Sequence, residues 1–289
     1  MDIKVTGDLT MARSVRDAFY DPSIRVFGVV NTMPEAKCVG GIELQLDRIL
    51  IITMTVAIDY QRDAESLWRL ARNLYDDADT RWAFCPSEVM KHTDQEITQT
   101  LQSKGSLRYP SNDVSWWRKN AAIWNDRYDG NPLNLFEKCQ WDVNQIVHNV
   151  KKTDRFLGLK GRKILPLWLR MLRDIEGLPF RGLAHLDMPV DVHIARATFT
   201  VGLAKGKFSG SLSSLIPFIQ QAWRDSTPDS DNRIALDYDE SLWNLSREGC
   251  HYRHSSGNTD CPKRSACVIG GSCPKGVISV STDRVVVDT

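Results

Sequence analysis

Between Leu46 and Val150 the chain reads as one short helix after another, joined by brief loops, and this leaves little room for an open α/β sheet. Leu44–Tyr60 is mostly apolar and reads as a buried helix. Leu67, Leu70, Ala71 and Leu74 then fall at helical spacing behind a plausible N-cap, Asp63. A short helix opens at Ser87. Thr93 with Glu96 forms a capping-box pattern for the next, and Gly105 is its natural stop. The helix from Ser111 is closed by the breaker Asp129-Gly130-Asn131-Pro132, and Leu133–Lys152 adds one or two more. The expected fold is mainly α, an orthogonal helical bundle.

Strand character gathers at the ends. Val277–Thr289 alternates and is rich in valine, so it is expected to pair near the N-terminus, with Ile3–Gly7 or with Arg25–Val30. The N-terminus is polar, without the apolar core of a secretory signal. The longest apolar stretch, Ile49–Ile58, is broken by Thr53 and Thr55 and is too short to span a bilayer. No membrane partner is expected. The expected location is intracellular, cytoplasmic and nucleoid-associated or nuclear. Net charge is +1, so any nucleic-acid surface must come from local segregation of charge.

That segregation is found at Lys151–Arg173, which holds eight Lys/Arg and one acid, Asp154. A solvated helix face produces such runs too. Here, however, the bases flank a Gly158-Leu159-Lys160-Gly161 turn that opens an apolar helix. Backbone N–H groups at such a helix start hold a phosphate, and Lys160, Arg162 and Lys163 add charge-assisted contacts. Further on, Asp191 follows Pro189-Val190 where a helix should begin, with Val192–Leu203 as its body. Alone, Asp191 reads as an N-cap.

Together, the hairpin Phe156-Leu157-Gly158-Leu159-Lys160-Gly161-Arg162-Lys163 and the motif Val190-Asp191-Val192-His193-Ile194-Ala195-Arg196 resemble the helix-hairpin-helix (HhH-GPD) base-excision DNA glycosylases, endonuclease III and its relatives. Those proteins carry Leu-Pro-Gly-Val-Gly-Arg-Lys and then Val-Asp-Thr-His-x-x-Arg. This hairpin has one more residue between its glycines, and Glu176–Asp187 looks like an insertion before the second motif. The resemblance runs from about Leu46 to Gly202. It implies two helical domains with a cleft between them, residues 46–175 and residues 1–45 plus 176–289, the latter including a metal-cluster loop at about 250–275. It implies double-stranded DNA as partner, a monomeric protein, and excision of a damaged or modified base flipped from the stack. Asp191 is then the carboxylate that stabilises oxocarbenium character at C1′ and orients the nucleophile. Lys163, or Lys160 given the altered spacing, is the amine of an associated abasic-site lyase, unless both lysines only bind phosphate. Gly158, Lys160, Gly161 and Arg162 grip the backbone. Gln61 fills the vacated gap or is an ordinary surface residue. Trp116, Trp117, Trp124, Trp141 and Trp168 are core residues by spacing, any of which could instead stack on a base.

Four of the seven cysteines lie within 24 residues, as Cys250-x10-Cys261-x5-Cys267-x5-Cys273. Without an export signal, such a cluster favours metal over disulfides. Cys261-Pro262-x4-Cys267 reproduces the last ligand pair of the family's [4Fe–4S] loop. Cys250 lies near the place of the first, Asn258 stands where the second belongs, and Cys273 supplies a fourth thiolate. Zinc is the alternative, with His251 and His254 as extra ligands. Arg253, Lys263, Arg264 and Lys275 would make this loop a second phosphate-contacting surface. Cys38, Cys85 and Cys139 read as buried thiols. Two other function classes stay open: a non-catalytic DNA-binding module with a metal cluster, and an unrelated helical metalloprotein in which Asp191 is only a cap.

Overall fold

The computed structural model describes residues 2–252 and 261–289. It is mainly helical, with 13 α-helices and one four-stranded antiparallel sheet among the described residues. The chain forms two compact units, residues 32–185, and residues 1–31 with 186–289. No described helix is long and apolar enough to cross a membrane.

The chain opens with β1 (Asp2–Val5) and α1 (Thr10–Tyr20), which belong to the unit of the two chain ends. The unit 32–185 is built from α2 (Pro34–Val39), α3 (Gln45–Val56), α4 (Ala64–Asp76), α5 (Pro86–Val89), α6 (Asp94–Ser103), α7 (Pro110–Tyr128), α8 (Pro132–Lys138), α9 (Val143–His148) and α10 (Ile164–Glu176). Local chemistry sets these boundaries. Asp63 accepts from the Ser66 N–H at 2.9 Å and caps α4. Thr93 and Glu96 form the reciprocal capping box of α6. Asp129 (φ 52°) and Gly130 (φ 72°) turn left-handed and stop α7. The predicted Leu44–Tyr60 helix ends earlier, at Val56, so Asp59, Tyr60 and Gln61 lie on the loop that follows.

At the centre, Ile49 through Val56 of α3 are all buried, and α10 lies against them with Ile164 through Leu172 buried. The Trp168 indole N–H donates to Thr53 Oγ1 at 3.0 Å inside this contact. Trp117, Trp124 and Trp168 are each at most 1% exposed, so they are core residues, with no free face for a base. Glu176–Asp187 is not a loose insertion. The Arg181 N–H donates to Trp141 O, the Val143 N–H donates to Arg181 O, and Phe180 packs edge-on against Phe136.

The other unit holds α11 (Val192–Thr200), β2 (Ala204–Gly210), α12 (Leu212–Ser226), α13 (Asp239–Glu248), β3 (Val277–Val280) and β4 (Val285–Asp288). The sheet order is β1-β2-β4-β3, antiparallel throughout, with Ile3 opposite Gly206 and Phe208 and Ile278 both opposite Val287. The expected strand pairing is corrected here. Val277–Thr289 folds on itself as the β3–β4 hairpin, and β2 separates it from β1. Arg25–Val30 is not a strand. The α11 body stops at Thr200, three residues earlier than predicted, and the chain enters β2. Ile278, Val280, Val285 and Val287 turn into a core shared with α11, α12 and α13.

One buried carboxylate ties this unit together. Asp229 accepts from the Tyr238 hydroxyl, from Arg13 Nε at 3.1 Å, and from the N–H groups of Asp231 and Arg233. Burial alone would raise its pKa, but these donors outweigh it and bring the group to about 2. The folded value lies below the ordinary one, so the stabilisation is complete above about pH 4 and fades as pH falls towards 2. Asp229→Asn is expected to cost about 2 kcal/mol at pH 7 and almost nothing at pH 2. Urea titrations at both pH values check this, and a cost independent of pH would refute it.

Candidate nucleic-acid site and cysteine centre

The basic hairpin lies in the unit 32–185. Helix α9 runs into a single π turn, Asn149–Thr153, and the chain then reverses into α10. Three contacts fix the turn. Gly158 (φ 75°) seats against the end of α3, where a Cβ would lie 1.8 Å from Ala57 O. Asn120 of α7 clamps the neighbouring peptide: its side-chain amide donates to Leu157 O at 2.8 Å, and its carbonyl accepts from the Leu157 N–H at 2.9 Å. Phe156 and Leu159 are fully buried, Phe156 against Trp124. Gly161 keeps an ordinary φ and donates its N–H to Gly158 O at 3.2 Å, closing the turn.

This seating sorts the charges. Asp154, the acid of the run, is turned inward, where it accepts from the Tyr128 hydroxyl and Arg127. Burial, together with that carboxylate, pushes the Tyr128 hydroxyl pKa up. Arg170 is 1% exposed and pairs with buried Glu35 at 3.0 Å, so it leaves the basic face. Lys152, Arg155, Lys160 and Arg162 stay exposed, and among the described residues none of them pairs with a carboxylate. The N–H groups of Lys160 and Arg162 have no acceptor among the described residues.

Lys163 behaves differently. Its Nζ lies 3.3 Å from Oδ2 of Asp59, a residue 8% exposed on the loop after α3. On that loop Gln61 is held at φ 50°, exposed, with Oε1 accepting from the Tyr109 hydroxyl at 3.2 Å. Gly158, Lys163 and Gln61 are thus gathered around residues 57–61. Sequence reasoning missed Asp59 and Asn120. Each lies far along the chain from the group it holds, and neither has a local signal.

Asp191 lies in the other unit. It is half-buried and caps α11, Oδ1 accepting from the N–H groups of His193 at 2.8 Å and Ile194 at 2.9 Å. One turn on, the Arg196 guanidinium is 7% exposed, donating to Ser246 Oγ at 2.9 Å and Val280 O at 2.7 Å. No carboxylate pairs with it among the described residues. Burial pushes its pKa down, and the nearby Cys250 and Asp191 work against that shift.

Cys250, Cys261, Cys267 and Cys273 line one cavity of this unit, together with Phe27 and Ile269. No disulfide joins any of the cysteines among the described residues. No three His, Cys, Asp or Glu among the described residues converge closely enough to hold a single ion. His251 does not line the cavity, and Arg253, His254 and Asn258 lie outside the described residues.

No protein-family model matches the chain, and no curated protein is significantly similar to it. What the site can do therefore rests on its own residues. The other three cysteines are poor candidates for chemistry. Cys38 and Cys139 are at most 3% exposed, and burial pushes the Cys38 thiol up to about 12. Cys85 is half-buried beside Ser87.

Proposed function

We propose that this chain is a DNA N-glycosylase of the HhH-GPD fold, acting on double-stranded DNA as a monomer. The carrying observation is the seated hairpin. A glycine turn locked by Asn120 and Ala57 carries two N–H groups without an acceptor among the described residues, and a rim of exposed bases, at the start of an apolar helix. That arrangement suits a phosphate, and it holds the duplex backbone without reading sequence. Gln61, exposed on the adjoining loop, would be the residue that enters the space a flipped base leaves.

Asp191 supplies the chemistry. Its carboxylate is fixed by two backbone donors, so it needs no reorganisation to face the positive charge that builds on the deoxyribose as the glycosidic bond breaks. It also accepts the proton of the attacking water. In the free protein Lys163 is paired with the Asp59 carboxylate. Amine attack on C1′ therefore needs that pair to separate on DNA, whereas hydrolysis does not. Hydrolysis is the primary reaction in this reading, and strand cleavage through Lys163 is secondary.

The four cysteines would hold a [4Fe–4S] cluster, with zinc as the alternative. Their side chains line one cavity, and four thiolates are the ligand set that either group takes. The buried Arg196 charge beside Cys250 suits the net negative charge of metal–thiolate groups. The group would order the 250–275 loop and its bases for a second backbone contact.

Duplexes carrying single oxidised, alkylated or mismatched bases, read for abasic sites, test the reading, and excision from none of them would refute it. Borohydride added during turnover is expected to trap a minor adduct that disappears in Lys163→Ala, persists in Lys160→Ala and grows in Asp59→Asn. An adduct surviving in Lys163→Ala would remove that lysine from the chemistry. DNA binding without any excision would favour the non-catalytic module.

A further inference from the structure

The loop after α3 and the segment entering α7 meet beside the hairpin, and their two tyrosines have no part in the chemistry above. Tyr60 and Tyr109 are 54% and 38% exposed, with ring centroids 6.1 Å apart and planes tilted by 40°. Flat rings stack at about 3.5 Å, so a slot that admits a third ring needs about 7 Å. These two are too close for that and form one continuous aromatic face. The face is braced. Arg62 pairs with Asp113, both side chains at most 8% exposed, and Asp113 also accepts from the Tyr109 N–H at 3.2 Å. Ile58 and Leu107, each two residues before a tyrosine, are buried. Arg108 Nε donates to the Tyr109 hydroxyl at 3.3 Å, which donates in turn to Gln61 Oε1 at 3.2 Å. The Arg108 guanidinium is exposed, 5.5 Å from the centre of the Tyr109 ring, and no carboxylate pairs with it among the described residues. Two acids of these segments, Asp59 and Asp113, are engaged with Lys163 and Arg62.

A single exposed tyrosine is ordinary. Two that meet on a braced surface, with an arginine that no carboxylate neutralises at their edge, match what a nucleotide requires: a π-face indifferent to base identity and a cation for the backbone. A duplex hides its base faces within the stack, so only unpaired nucleotides can use such a surface. We propose that Tyr60, Tyr109 and Arg108 form a stacking platform for unpaired DNA nucleotides, so that the chain binds a duplex with an open stretch in preference to a fully paired one. This rests on the reading of the hairpin as a grip on the DNA backbone. The loop that carries Tyr60 also carries Ala57 against Gly158 and Asp59 against Lys163, which sets the platform next to that grip.

The test uses the full chain and two fluorescein-labelled duplexes of about 30 base pairs, one fully paired and one with a short central run of thymine opposite thymine, with affinity read by anisotropy at one fixed salt concentration. Wild type is expected to bind the open duplex about tenfold more tightly than the paired one. Tyr60→Ala and Tyr109→Ala should each remove most of that preference and leave affinity for the paired duplex within about twofold of wild type. Tyr60→Phe, which keeps the ring, should retain the preference. Equal affinity of wild type for the two duplexes, a preference that survives in both alanine variants, or one lost in Tyr60→Phe as fully as in Tyr60→Ala would overturn the platform and leave the glycosylase reading standing. Failure to bind either duplex would overturn both. A preference that depends on the tyrosines, in a protein that excises no base, would support the platform and remove the glycosylase reading alone.

Discussion

Asp191→Asn is expected to fold like wild type, bind duplex DNA, and excise bases about 10³-fold more slowly. The two halves of this expectation come from different atoms of one side chain. The structural duty of Asp191 is to accept the N–H groups of His193 and Ile194 through one oxygen. An asparagine carbonyl does that equally well, since both residues are favoured N-caps. The chemical duty is negative charge and basicity, which asparagine lacks. Asp191→Ala would confuse the two by also removing the cap, at about 1 kcal/mol. Melting curves and abasic-site assays on the Asn variant separate them. Near-normal excision would reduce Asp191 to a helix cap and remove the assignment.

The second large effect is conformational. Gly158→Ala is expected to destabilise the unit 32–185 by about 4 kcal/mol, roughly a 10 °C fall in melting temperature. Two penalties coincide there. The φ of 75° is strained for any side chain, and the added Cβ would lie 1.8 Å from a backbone oxygen, Ala57 O, which cannot swing aside. Gly161→Ala is the control. Its φ is ordinary, and the nearest atom to a new Cβ is 3.4 Å away, so the cost should stay below about 1 kcal/mol. Equal losses in the two variants would mean that the hairpin does not sit on the end of α3.

Much of the helical unit is readable in the chain because its boundaries are local events. Asp63, the Thr93/Glu96 box and the Asp129-Gly130 stop each act within six residues of themselves. The misreadings are long-range. β2 carries Gly206, Gly210 and two lysines and has little strand preference of its own; it is extended because β1 and β4 flank it. Arg170 looks like part of a basic face until Glu35, 135 residues earlier, draws it into the core. Asp154, counted as the lone acid of a basic run, is removed from the surface by Tyr128. The candidate site divides the same way. Asp191, the glycines and the cysteines stand out by motif and spacing. Asp59 and Asn120 are ordinary residues in sequence and acquire a role only from what faces them in space.

The strand order β1-β2-β4-β3 has a consequence for how the protein is made. β4, the last element in sequence, lies between β2 and β3. On the ribosome, the helices of 32–185 emerge as one uninterrupted block of local contacts and can collapse as they appear. β1 and α1 emerge before that block and cannot complete their sheet until the segment around Val287 is free of the exit tunnel. Until β2 and α13 emerge, the edge of β1 and the apolar face of α1 lack their final partners. Synthesis thus imposes an order in which the basic hairpin is set early, and the sheet beside the Asp191 helix closes only with the final strand.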